Sequence, residues 1–207
     1  MIGIIDYGVG NLFSLVSSMR AVGSEACVIS DPDRLKMADR LVLPGVGAFG
    51  DAAQKLRSTG MADALTEQAH IGKPVLGICL GMQLLFDRSF EYGEHKGLGL
   101  LHGEVRPLTE IVDSRHKIPH IGWNALELKK PSALFRYIHN GDMVYFVHSY
   151  YGADCADDTL AVTEYSAVVT AAVGRGNIAG CQFHPEKSGA VGLKILRAFA
   201  ETEDILC

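Results

Sequence analysis

The sequence has few features of a nucleic-acid-binding or membrane-spanning protein. Its 19 Lys and Arg residues are outnumbered by 24 Asp and Glu residues, and its longest basic run is the pair Lys129-Lys130, so no basic stripe for nucleic acid is expected. The longest apolar stretch, residues 74–86, is interrupted by Gln83 and is shorter than the roughly 20 residues that a membrane span needs. Neither nucleic acid nor a membrane is an expected partner.

The cysteines also lack a recognisable pattern. They number five, are widely spaced and form no C-x-x-C pair, which argues against a disulfide framework or a zinc knuckle. Six of the eight histidines show no metal-ligand spacing with a neighbouring Cys or carboxylate, so neither a metal nor a cofactor is expected. The chain start lacks the basic region and cleavage site of a signal peptide. The expected location is the cytoplasm.

The composition favours one folded domain over residues 1–207. Apolar residues make up 48% of the chain, enough for a substantial core. The first half alternates predicted strands at 2–5, 26–29, 41–43 and 75–78 with predicted helices at 12–22, 48–56, 61–70 and from 81. This alternation predicts an α/β fold with a mostly parallel central sheet flanked by helices.

The second half is expected to add antiparallel strands to the same sheet. Short turns separate the predicted strands, and residues 188–201 are predicted to form a closing helix. The predicted strands span 98–101, 103–107, 125–128, 143–147, 160–165, 167–173 and 178–182.

A cysteine lies at a predicted strand-to-helix turn. Cys79 follows the strand at 75–78 within the pattern G-x-C-x-G, which is typical of a nucleophile elbow with Cys in place of Ser. The flanking glycines leave room for a strained backbone, and the positive end of a helix favours a thiolate. The N–H of Leu80 would point at a tetrahedral oxyanion. The alternative is that Cys79 is a small buried apolar residue.

A nucleophilic cysteine needs a base and a group that orients the base. His184 and Glu186 follow the strand at 178–182, and residues two apart in an extended segment face the same side. Pro185 between them stiffens this geometry. The alternative is a turn with a solvated carboxylate.

A glycine-rich loop, Pro44-Gly45-Val46-Gly47, follows another strand of the predicted sheet. Loops at the carboxyl edge of a parallel sheet line the ligand crevice, so N–H groups at Val46 and Gly47 would complete an oxyanion hole with Leu80. The alternative is a flexible connector. No Lys-Ser/Thr pair follows the glycines, so this is not a phosphate-binding loop.

These motifs together resemble the class I, triad-type glutamine amidotransferases: G-I-C-L-G at 77–81, P-G-V-G at 44–47 and F-H-P-E at 183–186. Further segments extend the resemblance over nearly the whole chain to the glutaminase subunits of imidazole glycerol phosphate synthase. They are D-Y-G-V-G-N at 6–11, G-L-G-L at 97–100, I-G-W-N at 121–124, F-V-H-S-Y at 146–150 and F-H-P-E-K-S at 183–188. The implied fold is flavodoxin-like.

The resemblance implies a role for each matching residue. Cys79 is the implied nucleophile, His184 the acid and base, and Glu186 the residue that orients the imidazole. The implied glutamine contacts are Gln83, Glu91, His148, Ser149 and Tyr150, although the segment around Glu91 departs from the family's usual pattern.

The resemblance also implies a partner. Ammonia released from glutamine would pass to a cyclase subunit with a TIM-barrel fold, in a heterodimer that makes imidazole glycerol phosphate and aminoimidazole carboxamide ribonucleotide in histidine biosynthesis. The residues implied at or near that interface are Asn11, Trp123, Tyr145 and Lys187; for Trp123 the alternative is ordinary packing.

Three other functions fit parts of the sequence. A glutaminase subunit of another ammonia-using synthase, such as a sugar-amidination paralogue, would have the same site. A non-catalytic regulatory module on this fold would usually lack one of Cys79, His184 and Glu186. A cysteine peptidase or stress protein of related fold would tend to place His directly after the Cys, where this chain has Leu80.

Overall fold

The computed structural model describes residues 1–202 and 205 of the chain. Its α-helices are α1 (Leu12–Ala21), α2 (Phe49–Ser58), α3 (Met61–His70), α4 (Leu80–Leu84) and α5 (Gly189–Glu201). Its strands are β1 (Ile2–Ile5), β2 (Ala26–Ile29), β3 (Arg40–Leu43), β4 (Val75–Ile78), β5 (Arg88–Ser89), β6 (His95–Lys96), β7 (Glu104–Pro107), β8 (His120–Ala125), β9 (Glu127–Leu128), β10 (Met143–His148), β11 (Tyr150–Ala153), β12 (Thr159–Glu164), β13 (Val168–Arg175) and β14 (Ile178–Cys181).

A largely parallel sheet forms the centre of the fold. Within the described chain its order is β2-β1-β3-β4-β14-β13-β12-β9. The strands from β2 to β14 run parallel, and β13, β12 and β9 continue the sheet with antiparallel pairing. The parallel part has the strand order of flavodoxin-like folds, in which ligands bind beyond the carboxyl ends of the strands. The predicted fold class is confirmed.

Apolar residues of the central strands pack in opposite directions onto two layers of helices. On β3, Val42 packs in a core with Leu15 of α1, whereas Leu43 packs in a second core with Leu65 of α3. This alternation follows from the two-residue period of a strand. Because both faces are covered, the parallel strands read as continuous apolar runs.

Two expectations about the second half were wrong. Residues 98–101 are not a strand: the backbone N–H groups of Leu98 and Leu100 donate to Leu84 O and Leu85 O at 2.8 and 2.9 Å. This segment thus satisfies carbonyls at the end of α4, which a helix leaves without intrahelical partners.

The antiparallel strands also do not all join the central sheet. In the described chain, β8 and β10 form a two-stranded sheet, and β11, β7, β5 and β6 form a four-stranded one. Both sheets lie within the segment between β4 and β12, so the single sheet expected for the second half is replaced by three. No helix of the described residues is long and apolar enough to cross a membrane.

Candidate active site

Cys79 lies in a strained turn between β4 and α4. Its φ of 54° and ψ of −113° lie in a region that costs a residue with a side chain about 1–3 kcal/mol. The turn is tight on both sides: a Cβ at Gly77 would lie 2.7 Å from Met82 N, and one at Gly81 would lie 1.8 Å from Leu43 O. The predicted elbow geometry is therefore present, and it fixes Cys79 at the carboxyl edge of the sheet.

His184 and Glu186 lie beyond the neighbouring strand, β14. His184 Nδ1 donates to Glu186 Oε1 at 2.8 Å, and both side chains are almost fully buried. Burial alone would lower the pKa of His184. Hydrogen bonding to Cys79 and Glu186, together with their negative charges, outweighs that effect and raises the pKa to about 9. The structure thus brings sulfur, imidazole and carboxylate together.

The backbone of His184 is held by the two-stranded sheet. His184 N donates to Tyr145 O at 2.9 Å. The Ser188 hydroxyl donates to His184 O at 2.7 Å and accepts from Tyr145 N at 2.9 Å. These bonds connect the backbone of His184 to β10. Sequence reasoning missed Ser188, whose position four residues after His184 was the available signal.

The loop at 44–47 packs against the start of α4. A Cβ at Gly45 would lie 2.8 Å from Gly81 N, so only glycine permits this approach. The buried Tyr7 hydroxyl donates to Pro44 O at 2.9 Å, and burial and the nearby Cys79 raise the pKa of Tyr7. Sequence reasoning missed Tyr7; the signal was an aromatic residue two positions after the end of β1, next to Asp6.

A cavity of about 450 Å³ opens over Cys79. Its lining includes every residue predicted to act in catalysis or glutamine binding except Glu186, which lies behind His184. These lining residues are Val46, Gly47, Cys79, Leu80, Gln83, Glu91, His148, Ser149, Tyr150 and His184. The predicted site residues therefore meet at one place, although they are spread between positions 46 and 184 of the sequence.

Besides lining the cavity, Glu91 makes a hydrogen bond to the start of α2 that the sequence did not suggest. Its Oε2 accepts from Phe49 N at 2.6 Å, at the N-terminus of α2, where a carboxylate is favoured by the helix dipole. Burial raises the pKa of Glu91, and the Phe49 hydrogen bond opposes that shift. Glu91 thus couples the cavity wall to α2.

His148 is buried and neutral. Its Nδ1 donates to Tyr150 O at 2.8 Å, and its Nε2 lies 3.0 Å from His120 Nδ1. Burial lowers the pKa of His148 to about 3, and the hydrogen bond to Tyr150 opposes this only in part. Sequence reasoning did not single out His120 for this contact.

The buried His148 should make the fold sensitive to mild acid. Between its folded pKa of about 3 and the unfolded value of about 6.5, the unfolded chain binds more protons, so stability falls as the pH falls. From pH 7.5 to 5 this amounts to about 2 kcal/mol. Denaturant unfolding at both pH values should show a smaller loss for His148→Gln than for wild type. His102→Gln, at an exposed site, should behave as wild type; an unchanged loss in His148→Gln would contradict the argument.

The residues predicted at a partner interface lie on β8, on β10, at the N-cap of α1 and in the turn after His184. Trp123 on β8 pairs in register with Tyr145 on β10, their ring centroids are 6.0 Å apart, and Trp123 is 51% exposed. Lys187 is exposed and lines the cavity. Asn11 caps α1, which packs against the turn containing Lys187.

No group of three or more His, Cys, Asp and Glu side chains among the described residues has a geometry that could hold a metal ion. The groups around the cavity are a thiol, a buried imidazole–carboxylate pair and backbone N–H groups.

Sequence comparison places the chain among known proteins. Residues 3–202 match the family model described as "Glutamine amidotransferase class-I". The chain is 50% identical over 202 residues to imidazole glycerol phosphate synthase subunit HisH of Caldanaerobacter subterraneus subsp. tengcongensis, covering 97% of this chain and 98% of that protein. It is 48% identical over 203 residues to the HisH subunit of Wolinella succinogenes, with 97% and 99% covered.

Solved structures share the fold at lower identity. A glutamine amidotransferase crystal structure matches with a TM-score of 0.75 and 18% identity, covering 97% of this chain and 99% of that one. A structure of PurLQS from Thermotoga maritima matches with a TM-score of 0.75 and 21% identity, covering 96% of each chain. The chain belongs to the class I glutamine amidotransferases and, within them, to the HisH subunits of imidazole glycerol phosphate synthase.

Proposed function

We propose that this chain hydrolyses glutamine to glutamate and ammonia through a γ-glutamyl thioester on Cys79, and passes the ammonia to a cyclase subunit. The observation that carries the proposal is the meeting of a strained cysteine with a buried imidazole–carboxylate pair at one cavity. The family relationship supports the same reaction.

Acylation begins with the Cys79 thiolate attacking the side-chain amide carbon of glutamine. A C–S bond forms, and the carbonyl electron pair moves to oxygen, where N–H groups of Leu80 and the Val46–Gly47 loop stabilise the oxyanion. The intermediate then collapses, the C–N bond breaks, and protonated His184 gives its proton to the leaving ammonia. Because the pKa of His184 is raised to about 9, the imidazolium needed for this step is present at neutral pH.

Deacylation reverses the role of the imidazole. After giving up its proton, His184 accepts one from water, which attacks the thioester carbon. The second tetrahedral intermediate expels the Cys79 thiolate and yields glutamate. Glu186 keeps Nδ1–H engaged, so that Nε2 is the nitrogen that exchanges protons with substrate.

The binding of glutamine itself is assigned to the other cavity residues. We propose that Gln83, Glu91 and the strand end His148-Ser149-Tyr150 contact the substrate, with Glu91 near its α-amino group and the strand end near its α-carboxylate. A carboxylate opposite an ammonium is a charge-assisted contact, which supports the assignment of Glu91.

The backbone at Gly47 should be more important for activity than for folding. Its φ is +94° with nothing within 4 Å of an added Cβ, and Gly72, at the opposite edge of the sheet, has the same φ and the same open space. Alanine at either position should cost similar stability, about 1–3 kcal/mol. Only Gly47→Ala should slow glutamate release, by about 10–100-fold, because the loop that carries an oxyanion donor shifts. Equal activities of the two variants would refute the oxyanion role.

Free ammonia becomes ammonium in water near neutral pH and is then no nucleophile. Transfer of the ammonia to its acceptor therefore requires that the acceptor subunit be docked to this chain. We propose a TIM-barrel cyclase that makes imidazole glycerol phosphate and aminoimidazole carboxamide ribonucleotide in the cytoplasm. Docking is assigned to the face containing Trp123, Tyr145, Lys187 and Asn11. An exposed Trp beside a Tyr is typical of an interface anchor.

Trp123→Ala should weaken the complex with the cyclase by about 10–100-fold in Kd, because a large exposed aromatic anchor is lost. Calorimetric titration of the two subunits measures this. Val168→Ala removes an apolar side chain that is more exposed than Trp123, 66% accessible, from β13 and should leave Kd unchanged. If Trp123→Ala binds as wild type, the assigned face is wrong.

Glutamate release, measured with and without the cyclase and its nucleotide ligand, tests the proposed function. We expect the loaded cyclase to raise the rate of glutamate release by about 10²–10³-fold. This is the factor in kcat that one oxyanion-hole donor typically contributes. Release that ignores the cyclase would refute the assigned partnership. Rescue of a histidine auxotroph by the gene distinguishes this function from that of a paralogue serving another synthase.

A further inference from the structure

Gln182 lies beside the reacting sulfur, although no role has been assigned to it so far. It follows β14, whose last residue pairs with the last residue of β4 in parallel register. Cys79 N donates to Cys181 O at 2.7 Å, so the residues just after the two strands are neighbours. The Gln182 side chain is fully buried, and its Nε2 lies 3.7 Å from Cys79 Sγ.

The orientation of the Gln182 amide is fixed by its other partner. Gln83 Nε2 donates to Tyr150 O at 3.1 Å and to Gln182 Oε1 at 2.9 Å. Because a backbone carbonyl only accepts, Gln83 must present its NH₂ group at this point. Gln182 must then meet that group with its oxygen, which leaves its own NH₂ group facing the sulfur.

We propose that Gln182 acts on the reacting sulfur as an N–H donor that stabilises the Cys79 thiolate, both before it attacks and when it leaves the thioester. This inference rests on the proposed function. Hydrogen bonds to an ionised acceptor are about twice as strong as neutral ones, whereas the sulfur of a thioester carries little charge. The donor therefore favours the two states in which sulfur is negative.

A neutral amide suits this task because it does not titrate. The chain Tyr150–Gln83–Gln182–Cys79 also connects the cavity wall to the sulfur. Full burial of Gln182 excludes water, which would otherwise replace its hydrogen bond to sulfur.

The test compares Gln182→Glu and Gln182→Met with a control, Gln68→Met, in the full chain. The Glu variant has the shape of Gln and keeps an oxygen for Gln83, but places a carboxylate beside the thiolate; the Met variant fills a similar volume without a donor. Gln68 is a buried glutamine on α3, away from the cavity. The measurement is the rate of Cys79 alkylation by iodoacetamide between pH 5 and 10, read by peptide mass spectrometry.

We expect the pH of half-maximal alkylation to rise by about one unit in Gln182→Met. At a fixed pH below the midpoint, this shift corresponds to a tenfold smaller fraction of thiolate. The midpoint should rise further in Gln182→Glu and stay unchanged in Gln68→Met. In the complex with the cyclase, kcat for glutamine should fall about tenfold in Gln182→Glu, with KM changed less than twofold. A purely structural role would lower thermal stability without moving the alkylation midpoint.

Unchanged midpoints in the folded Gln182 variants would overturn the inference; if the Met variant does not fold, the Glu variant decides. A glutamine-analogue diazoketone separates this failure from that of the proposed function. If the reagent labels wild-type Cys79 while the midpoints stay fixed, only the role of Gln182 is refuted. If it fails to label wild-type Cys79, the proposed function itself is refuted.

Discussion

Cys79→Ala is expected to lower glutamine-dependent turnover by at least about 10⁴-fold, because Cys79 is the only thiol among the described residues that line the cavity and could form the thioester. Synthesis by the cyclase from added ammonium salt should continue at the wild-type rate, since that reaction bypasses the cysteine. The measurement is product formation by the complex with glutamine or with ammonium as the nitrogen source.

The matched control for this variant is Cys155→Ala. Cys155 is also buried and free, but it does not line the cavity above Cys79. We expect it to retain both activities. If Cys79→Ala lost both activities together, its cysteine would have a structural role, and the proposed nucleophile would be wrong.

His184→Ala should slow glutamate release by about 10³-fold or more, and Glu186→Gln by about 10–100-fold. Removing the imidazole eliminates the proton donor and acceptor, whereas the Gln variant retains a base that is less well oriented. The steady-state rate of glutamate release in the presence of the cyclase measures both effects.

The pH profile adds a second readout for Glu186→Gln. The carboxylate contributes to raising the pKa of His184, so its neutralisation should move the alkaline limb of the profile to lower pH. Within the described chain, Glu186 Oε2 has no hydrogen-bond partner. The hydrogen bond that Glu186→Gln would alter is therefore the one from His184 Nδ1 to Oε1. Equal losses in the two variants would refute the proposed division of roles.

The parts of the site that were predictable are local in sequence. The G-x-C-x-G pattern predicted the turn at Cys79 because the two glycines that make room for the turn and the cysteine itself lie within five residues. The spacing of His184 and Glu186 likewise predicted their pairing, and the structure places their ring nitrogen and carboxylate 2.8 Å apart. Their catalytic roles stay predictions.

The parts that were missed depend on which strands are neighbours. Gln182 reaches Cys79 only because β14 lies beside β4, and Tyr7 reaches Pro44 only because β1 lies beside β3. Residues 98–101 form an apolar run that is also typical of a strand. Their N–H groups instead donate to carbonyl groups at the end of α4, a contact that the sequence pattern does not show.

The central claim is that Cys79 carries the glutamyl group. The most direct measurement is the mass of the chain after incubation of the complex with a glutamine-analogue diazoketone, followed by peptide mapping. The account predicts one adduct per chain, located on Cys79 and prevented by excess glutamine. An adduct on another residue, or an unmodified Cys79 in an active complex, would contradict it.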